Sequence, residues 1–333
     1  MSLLKKEAMK RSWSIEAFLI NKMALMLLLS LSGCVPRFDH TSVRKLHIEH
    51  KNINTHVQTD TIFNTKSEGQ RAITIWIHGT RLFSRPVFAE LFNNKTSLKP
   101  IRAIPEKHIL RTIAESVMKK APDHFNADDF YVFGWSGKLS FTARYEASKT
   151  LYDKLKELAH NYHLTYGHKP YIRIITHSHG GNVALNLAYT QGIDEELSID
   201  ELILLACPVQ AQTKHLIYDP IFKQIFSLYS CLDFIQIIDP QGLYSNHTKS
   251  TSFFSERCFP SCEKLFQVKI RMNKRAITHN EFIHTAFLEQ LPLVLDEIAQ
   301  WHKQEPILIT QKASTKRLLS LETGVLKKQS TTT

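Results

Sequence analysis

A serine, two candidate acids and a histidine follow one another along this chain in an order that suits nucleophilic attack on a carbonyl. Residues 171–182 read Tyr-Ile-Arg-Ile-Ile-Thr-His-Ser-His-Gly-Gly-Asn, a β-rich run that breaks into a small-residue turn with Ser178 at its tip. An attacking hydroxyl has to be lifted clear of a sheet on a tight strand-to-helix turn, so the positions two before and two after it must be small. Gly180 and Gly181 meet the second demand; Thr176 stands at the first, where a β-branched residue fits only if the facing helix leaves room. Behind the turn, Val183, Ala184, Leu187 and Ala188 recur at helical spacing. A helix starting there would turn N–H groups and a positive dipole end toward Ser178.

A serine hydroxyl is inert at neutral pH unless a histidine takes its proton, and an acid must hold that histidine in the right tautomer. His279 lies between the last expected strand and the last expected helix, where a loop residue can reach back over a sheet; His284, inside the helical stretch, is the weaker candidate. Asp233 follows the β-rich run 225–229, and Asp239 follows the run 234–238, so the acid depends on which run is the strand. Asp233 is favoured because the connections then have ordinary lengths, although either aspartate could equally cap a turn. Two N–H donors are needed for the developing oxyanion. His179, just after the serine, would supply one, and Thr80 in the turn His78-Gly79-Thr80 the other. A second serine-bearing turn, Trp135-Ser136-Gly137, lacks a following Gly-Gly and reads as packing at a sheet end.

These residues need a scaffold, and the pattern around them alternates strand and helix, as in a parallel sheet wrapped by helices. Strands are expected at 73–77, 130–134, 171–175, 202–206, 225–229 and 265–270. Helices are expected near 109–118, 143–158, from the serine turn to about 192, and over 280–302. Residues 210–222 could cover the site, 240–263 read as an irregular insertion, and the Ser/Thr/Lys-rich stretch 306–333 as a basic disordered tail.

The chain has 333 residues, 43% of them hydrophobic, which suffices for a sizeable core and excludes disorder as the default. Its formal charge of +11 is scattered and accompanied by no zinc-finger, helix-turn-helix or RNA-binding signature, so no nucleic-acid partner is expected. Lys5, Lys6, Lys10, Arg11 and Lys22 precede a short apolar run that ends in Leu31-Ser32-Gly33-Cys34. That run is too short to span a bilayer and reads as a secretory leader over residues 1–33, with Met9 and Met23 as alternative starts. Its last four residues resemble the lipobox of bacterial lipoproteins, which implies cleavage after Gly33, a lipid anchor on Cys34 and an envelope location; a secreted or periplasmic protein is the alternative. Cys207, Cys231, Cys258 and Cys262 remain; the pairs 258/262 and 207/231 are candidates for bridges, with free thiols equally open. No cysteine spacing resembles a zinc site.

Taken in order, His78-Gly79-Thr80, Ser178 in its turn, Asp233 and His279 resemble the α/β-hydrolase superfamily. The His-Ser-x-Gly-Gly form is similar to that of its lipase and esterase branches. The resemblance covers residues 70–302 in order and spacing. It implies a mostly parallel central sheet of about eight strands with helices on both faces, in a catalytic domain over 70–305 that follows a linker and first strands at 34–69. It also implies acyl transfer to water on an acyl-ester or lipid substrate, with no cofactor and no metal. A noncatalytic surface lipoprotein on the same scaffold, and a thioesterase or amidase, are the alternatives.

Overall fold

The computed structural model of the chain describes residues 43–48, 72–80, 96–191, 197–233, 235–236, 258–304 and 317–323. The expected leader, Cys34, Asp239 and residues 240–257 lie outside the described residues.

Between residues 72 and 276 the described residues build eight strands. They are β2 (Ala72–Ile77), β3 (Ser97–Pro100), β4 (Phe130–Gly134), β5 (Tyr171–His177), β6 (Ile199–Leu205), β7 (Phe222–Tyr229), β8 (Leu265–Met272) and β9 (Arg275–Ala276). Two further strands, β1 (Val43–Ile48) and β10 (Arg317–Thr323), extend the sheet beyond β8. The order is β1-β10-β8-β7-β6-β5-β2-β4-β3, with β9 paired to β8. Every pairing is parallel except β3 with β4 and β8 with β9.

The central strands read as nearly unbroken apolar runs because both faces are covered. Along β6, Ile203 and Leu205 enter one core while Leu202 and Leu204 enter the other, and along β5 Ile175 and Ile174 divide the same way. On the first face lie α1 (Ile109–Met118), α5 (Thr285–Leu288) and α6 (Leu291–Gln304). On the second lie α2 (Phe141–Tyr166), α3 (Gly180–Leu185) and α4 (Leu187–Thr190). The chain is thus an α/β protein with a mostly parallel sheet sandwiched between helices. Each fully buried Ile or Leu in these two cores contributes about 1.5–3 kcal/mol.

Helix limits follow local chemistry. Ser140 caps α2 by accepting from the Ala143 N–H at 3.3 Å, and Gly167, at φ 76°, ends it with its N–H on the His163 carbonyl at 2.8 Å. The helix expected behind Ser178 is two short helices instead, broken at Asn186, whose side-chain amide donates to the Asn182 carbonyl at 2.7 Å. The helix expected over 280–302 is likewise divided. A 3₁₀ turn at His279–Ile283 comes first, then α5, then α6, with His284 extended between the first two. The apolar period runs through all three pieces, which is why the sequence reads as one helix. Part of the expected tail is a strand: the run Arg-Leu-Leu-Ser-Leu-Glu-Thr of β10 takes its backbone hydrogen bonds between β8 and β1. Polar surroundings hide it in the sequence, and those two strands supply the pairing.

Candidate active site

The loops that leave the carboxyl ends of β2, β5, β7 and the β8–β9 hairpin carry the residues singled out above, on the edge of a parallel sheet where ligands are ordinarily bound. Ser178 follows β5 directly and adopts φ 55°, a left-handed conformation rare outside glycine, while its N–H is fixed on the Leu205 carbonyl of β6 at 2.9 Å. This is the strained turn the sequence implies. Gly180 is required because a Cβ there would stand 2.6 Å from both the His78 and Ile77 carbonyl oxygens. The approach of β2 is equally tight from its own side, since a Cβ on Gly79 would lie 2.7 Å from Ser178 Cβ.

Thr176 fits beneath the turn by a route the sequence leaves open. It is fully buried as a strand residue, and its hydroxyl donates to the Ile203 carbonyl on β6 at 3.1 Å. The polar atom is thereby satisfied within the sheet and asks nothing of a facing helix. Thr176→Val, similar in shape, is expected to cost about 1 kcal/mol, read as a lowered urea midpoint with unchanged slope.

Asp233 and His279 meet. His279 Nδ1 lies 2.9 Å from each carboxylate oxygen of Asp233, and both side chains are buried. A carboxylate accepts, so Nδ1 carries the proton and Nε2 presents a lone pair. Asp233 Oδ1 also accepts from the Gln236 N–H at 3.1 Å, which holds the carboxylate in place. Residues 235 and 236 are helical, and the rival acid Asp239 lies outside the described residues. The ring of His279 packs 4.6 Å from that of His177, the residue before Ser178. Ser178 Oγ itself makes no hydrogen bond among the described residues, so the pair His279–Asp233 is closed and the link from His279 to Ser178 is open. Such links often tighten only when substrate binds.

Two features of this region are not visible in the sequence. Ser230 Oγ accepts from the N–H groups of Ile277, at 3.1 Å, and Leu232, at 3.4 Å, tying the acid-bearing turn to the segment that leads into His279. Ser230→Ala strands a buried N–H and loosens that tie, at an expected cost of about 1–3 kcal/mol, measured as a lower urea midpoint at constant slope. The second is at the start of the turn that carries His279, where the Thr278 N–H donates to Glu281 Oε2 at 2.7 Å and the Glu281 N–H closes the turn on the Thr278 carbonyl at 3.1 Å. Arg275 hydrogen-bonds Glu281 and, with Thr278, holds its carboxyl down at about 2 despite partial burial. His279 is the first residue of that turn.

His179, buried, stands just before α3 at its N-cap position, and its ring is joined to a polar cluster: Asn182 Nδ2 lies 3.4 Å from His179 Nδ1 and donates to the Pro208 carbonyl at 3.0 Å. Thr213 donates to Asn182 Oδ1, and Arg144, fully buried, donates to Gln210 Oε1 at 3.1 Å. Burial first, then the Arg144 and His279 charges, push the His179 ring well below its usual range, so it is neutral. Thr80 is half-buried, and its hydroxyl has no hydrogen-bond partner among the described residues. Residues 210–222, which could cover the site, bury Leu216 and Ile217 in the core shared with α2.

The rival candidates sit apart. Ser136 is exposed and accepts from the Lys138 N–H at 3.4 Å, while Trp135 beside it is buried against His78. The Trp135 indole donates to the His78 carbonyl at 2.8 Å, and its backbone N–H to His78 Nε2 at 3.3 Å, so the turn serves packing at the sheet end. His284 is exposed. Cys207 lies under the elbow, close enough that a Cβ on Gly181 would meet its sulfur, and no disulfide joins the four described cysteines. Among the described residues no group of three or more His, Cys, Asp or Glu side chains is placed to hold a metal ion, and no helix is long and apolar enough to cross a membrane.

What fold and site define together is an α/β protein that carries a buried His–Asp pair beside a strained serine turn. No family model matches the chain, and no curated protein matches it significantly. Among solved structures, the crystal structure of the lin2722 gene product of Listeria innocua aligns with a TM-score of 0.38 and 12% identity, over 75% of this chain and 98% of that one. A likeness so remote carries no weight for function.

Proposed function

We propose that the protein is a serine hydrolase that cleaves a carboxylic ester, in the manner of lipases and esterases of the α/β-hydrolase superfamily. The observation that carries the reading is the His279–Asp233 bond at 2.9 Å formed beside a serine held at φ 55°. Ser178 Oγ attacks the ester carbonyl as its proton passes to His279 Nε2, and Asp233 stabilises the imidazolium through Nδ1–H. The oxyanion is held by the backbone N–H groups of Thr80 and His179. Return of the proton to the leaving alkoxide gives an acyl-enzyme, which water hydrolyses by the same steps in reverse roles.

The expected membrane anchor on Cys34 would place such a site near acyl-ester or lipid substrates. Its test is separate: incorporation of radiolabelled palmitate should be lost in Cys34→Ser, and unchanged incorporation refutes the anchor.

A second reading, a scaffold that binds without chemistry, is favoured by the open link between Ser178 and His279. One experiment separates the two. A fluorophosphonate probe should modify the folded protein at Ser178, located by peptide mass mapping. Folded protein that stays unmodified sinks the hydrolase reading. Turnover of p-nitrophenyl esters beside thioester and amide analogues then fixes the bond cleaved.

A further inference from the structure

We propose that His177 is a positioning residue for His279: its Nε2–H donates a hydrogen bond to the main-chain carbonyl of His279 and so sets where that base stands relative to Ser178. The inference rests on the reading of Ser178, His279 and Asp233 as one catalytic set.

The contact is 3.1 Å long. A carbonyl oxygen can only accept, so the Nε2 of His177 carries the hydrogen. His177 is the last residue of β5, which is held between β2 and β6, and it pairs with Leu205 in register. It therefore moves with the most rigid part of the sheet, whereas His279 belongs to a segment that arrives from the β8–β9 hairpin. The Asp233 contact fixes the His279 ring at Nδ1, and the Ser230 and Glu281 side chains fix the main chain just before it, at the N–H groups of Ile277 and Thr278. The bond from His177 fixes the main chain of His279 itself and refers it to the strand that ends on the nucleophile. Both rings are buried, with centroids 4.6 Å apart at 53°, so the bond is shielded from water.

Such a neighbour must not carry charge, because His279 becomes an imidazolium during the reaction. Burial, and after it the charge of His279, hold His177 down at about 3, so it stays a neutral donor throughout. A plain space-filling histidine would need the ring and not the donor, and this distinction can be tested.

Three substitutions in the full-length protein separate them. His177→Gln keeps an amide N–H at about the reach of Nε2, His177→Asn carries its amide at the Nδ1 position, and His177→Phe keeps a ring without a donor. We expect His177→Gln to retain kcat within about 3-fold of wild type. His177→Asn and His177→Phe should lose about 30- to 100-fold in kcat with KM within about 2-fold, as a displacement near 1 Å at the reacting groups would cause. A direct readout accompanies this: the low-field proton resonance of His279 Nδ1–H should persist in His177→Gln and broaden away in His177→Phe. The proposal is overturned if His177→Phe keeps both wild-type kcat and that resonance, or if His177→Gln falls as far as His177→Phe. Should His177→Phe fail to fold, the contrast between Gln and Asn decides. If the wild type proves inert to fluorophosphonate, the hydrolase reading fails, and the resonance still reports whether His177 holds His279.

Discussion

Ser178→Ala and His279→Ala are each expected to lower kcat by about 10⁶-fold, and the double variant by little more than either alone. The two act as a unit: without Nε2 to receive a proton the hydroxyl is no nucleophile, and without the hydroxyl there is no proton to receive. Asp233→Asn should cost about 10⁴-fold, since an amide in contact with Nδ1 favours the tautomer that places the proton on Nε2, where the lone pair is needed. The burial of this pair strengthens the prediction, because solvent has little access to the position of the carboxylate. Ester turnover by each variant, with circular dichroism to verify folding, makes the test. Additive losses in the double variant, or a folded Asp233→Asn with wild-type turnover, would remove these residues from the chemistry.

The largest effect on stability is expected at Gly180. In Gly180→Ala the new methyl would lie 2.6 Å from two carbonyl oxygens, those of Ile77 and His78, and neither is the tip of a flexible side chain. Both belong to β2 or the turn at its end, and β2 is held between β4 and β5. Relief has to come from the elbow itself, at a cost of about 3 kcal/mol, in the upper range of overpacking penalties. For a domain of this size that lowers Tm by about 10 °C. Gly167→Ala is the informative control. Nothing lies within 4 Å of a Cβ there, but φ is 76°, so only the strain of a left-handed alanine is felt, about 1 kcal/mol. Equal losses in the two variants would mean that the elbow yields more readily than its contacts imply.

Much of the scaffold was legible because its strands are covered on both faces. The runs at 73–77, 130–134 and 202–206 are apolar enough to mark buried parallel strands, the run 265–270 alternates instead, and each lies within or closely overlaps a strand of the structure. What escaped were interruptions and one strand, β10. Asn186 breaks a helix whose apolar period continues past it, and His284 separates two pieces of what reads as one. β10 escaped because what makes it a strand is pairing with β8 on one side and β1 on the other, and partners are not a property of its own residues.

The site divides in the same way. Amino-acid types and their spacing were enough to single out Ser178, to call for small residues after it, and to place an acid and a histidine after the later strands, because these demands are local and steric. The tertiary structure alone brought Asp233 to His279 across 46 positions of chain. It also absorbed the hydroxyl of Thr176 into a neighbouring strand and joined His177 and Ser230 by hydrogen bonds to the segment around His279. Hydrogen bonds between distant segments depend on where the sheet carries its strand ends. A one-dimensional pattern records which groups are available to bond, and only the folded chain decides which of them meet.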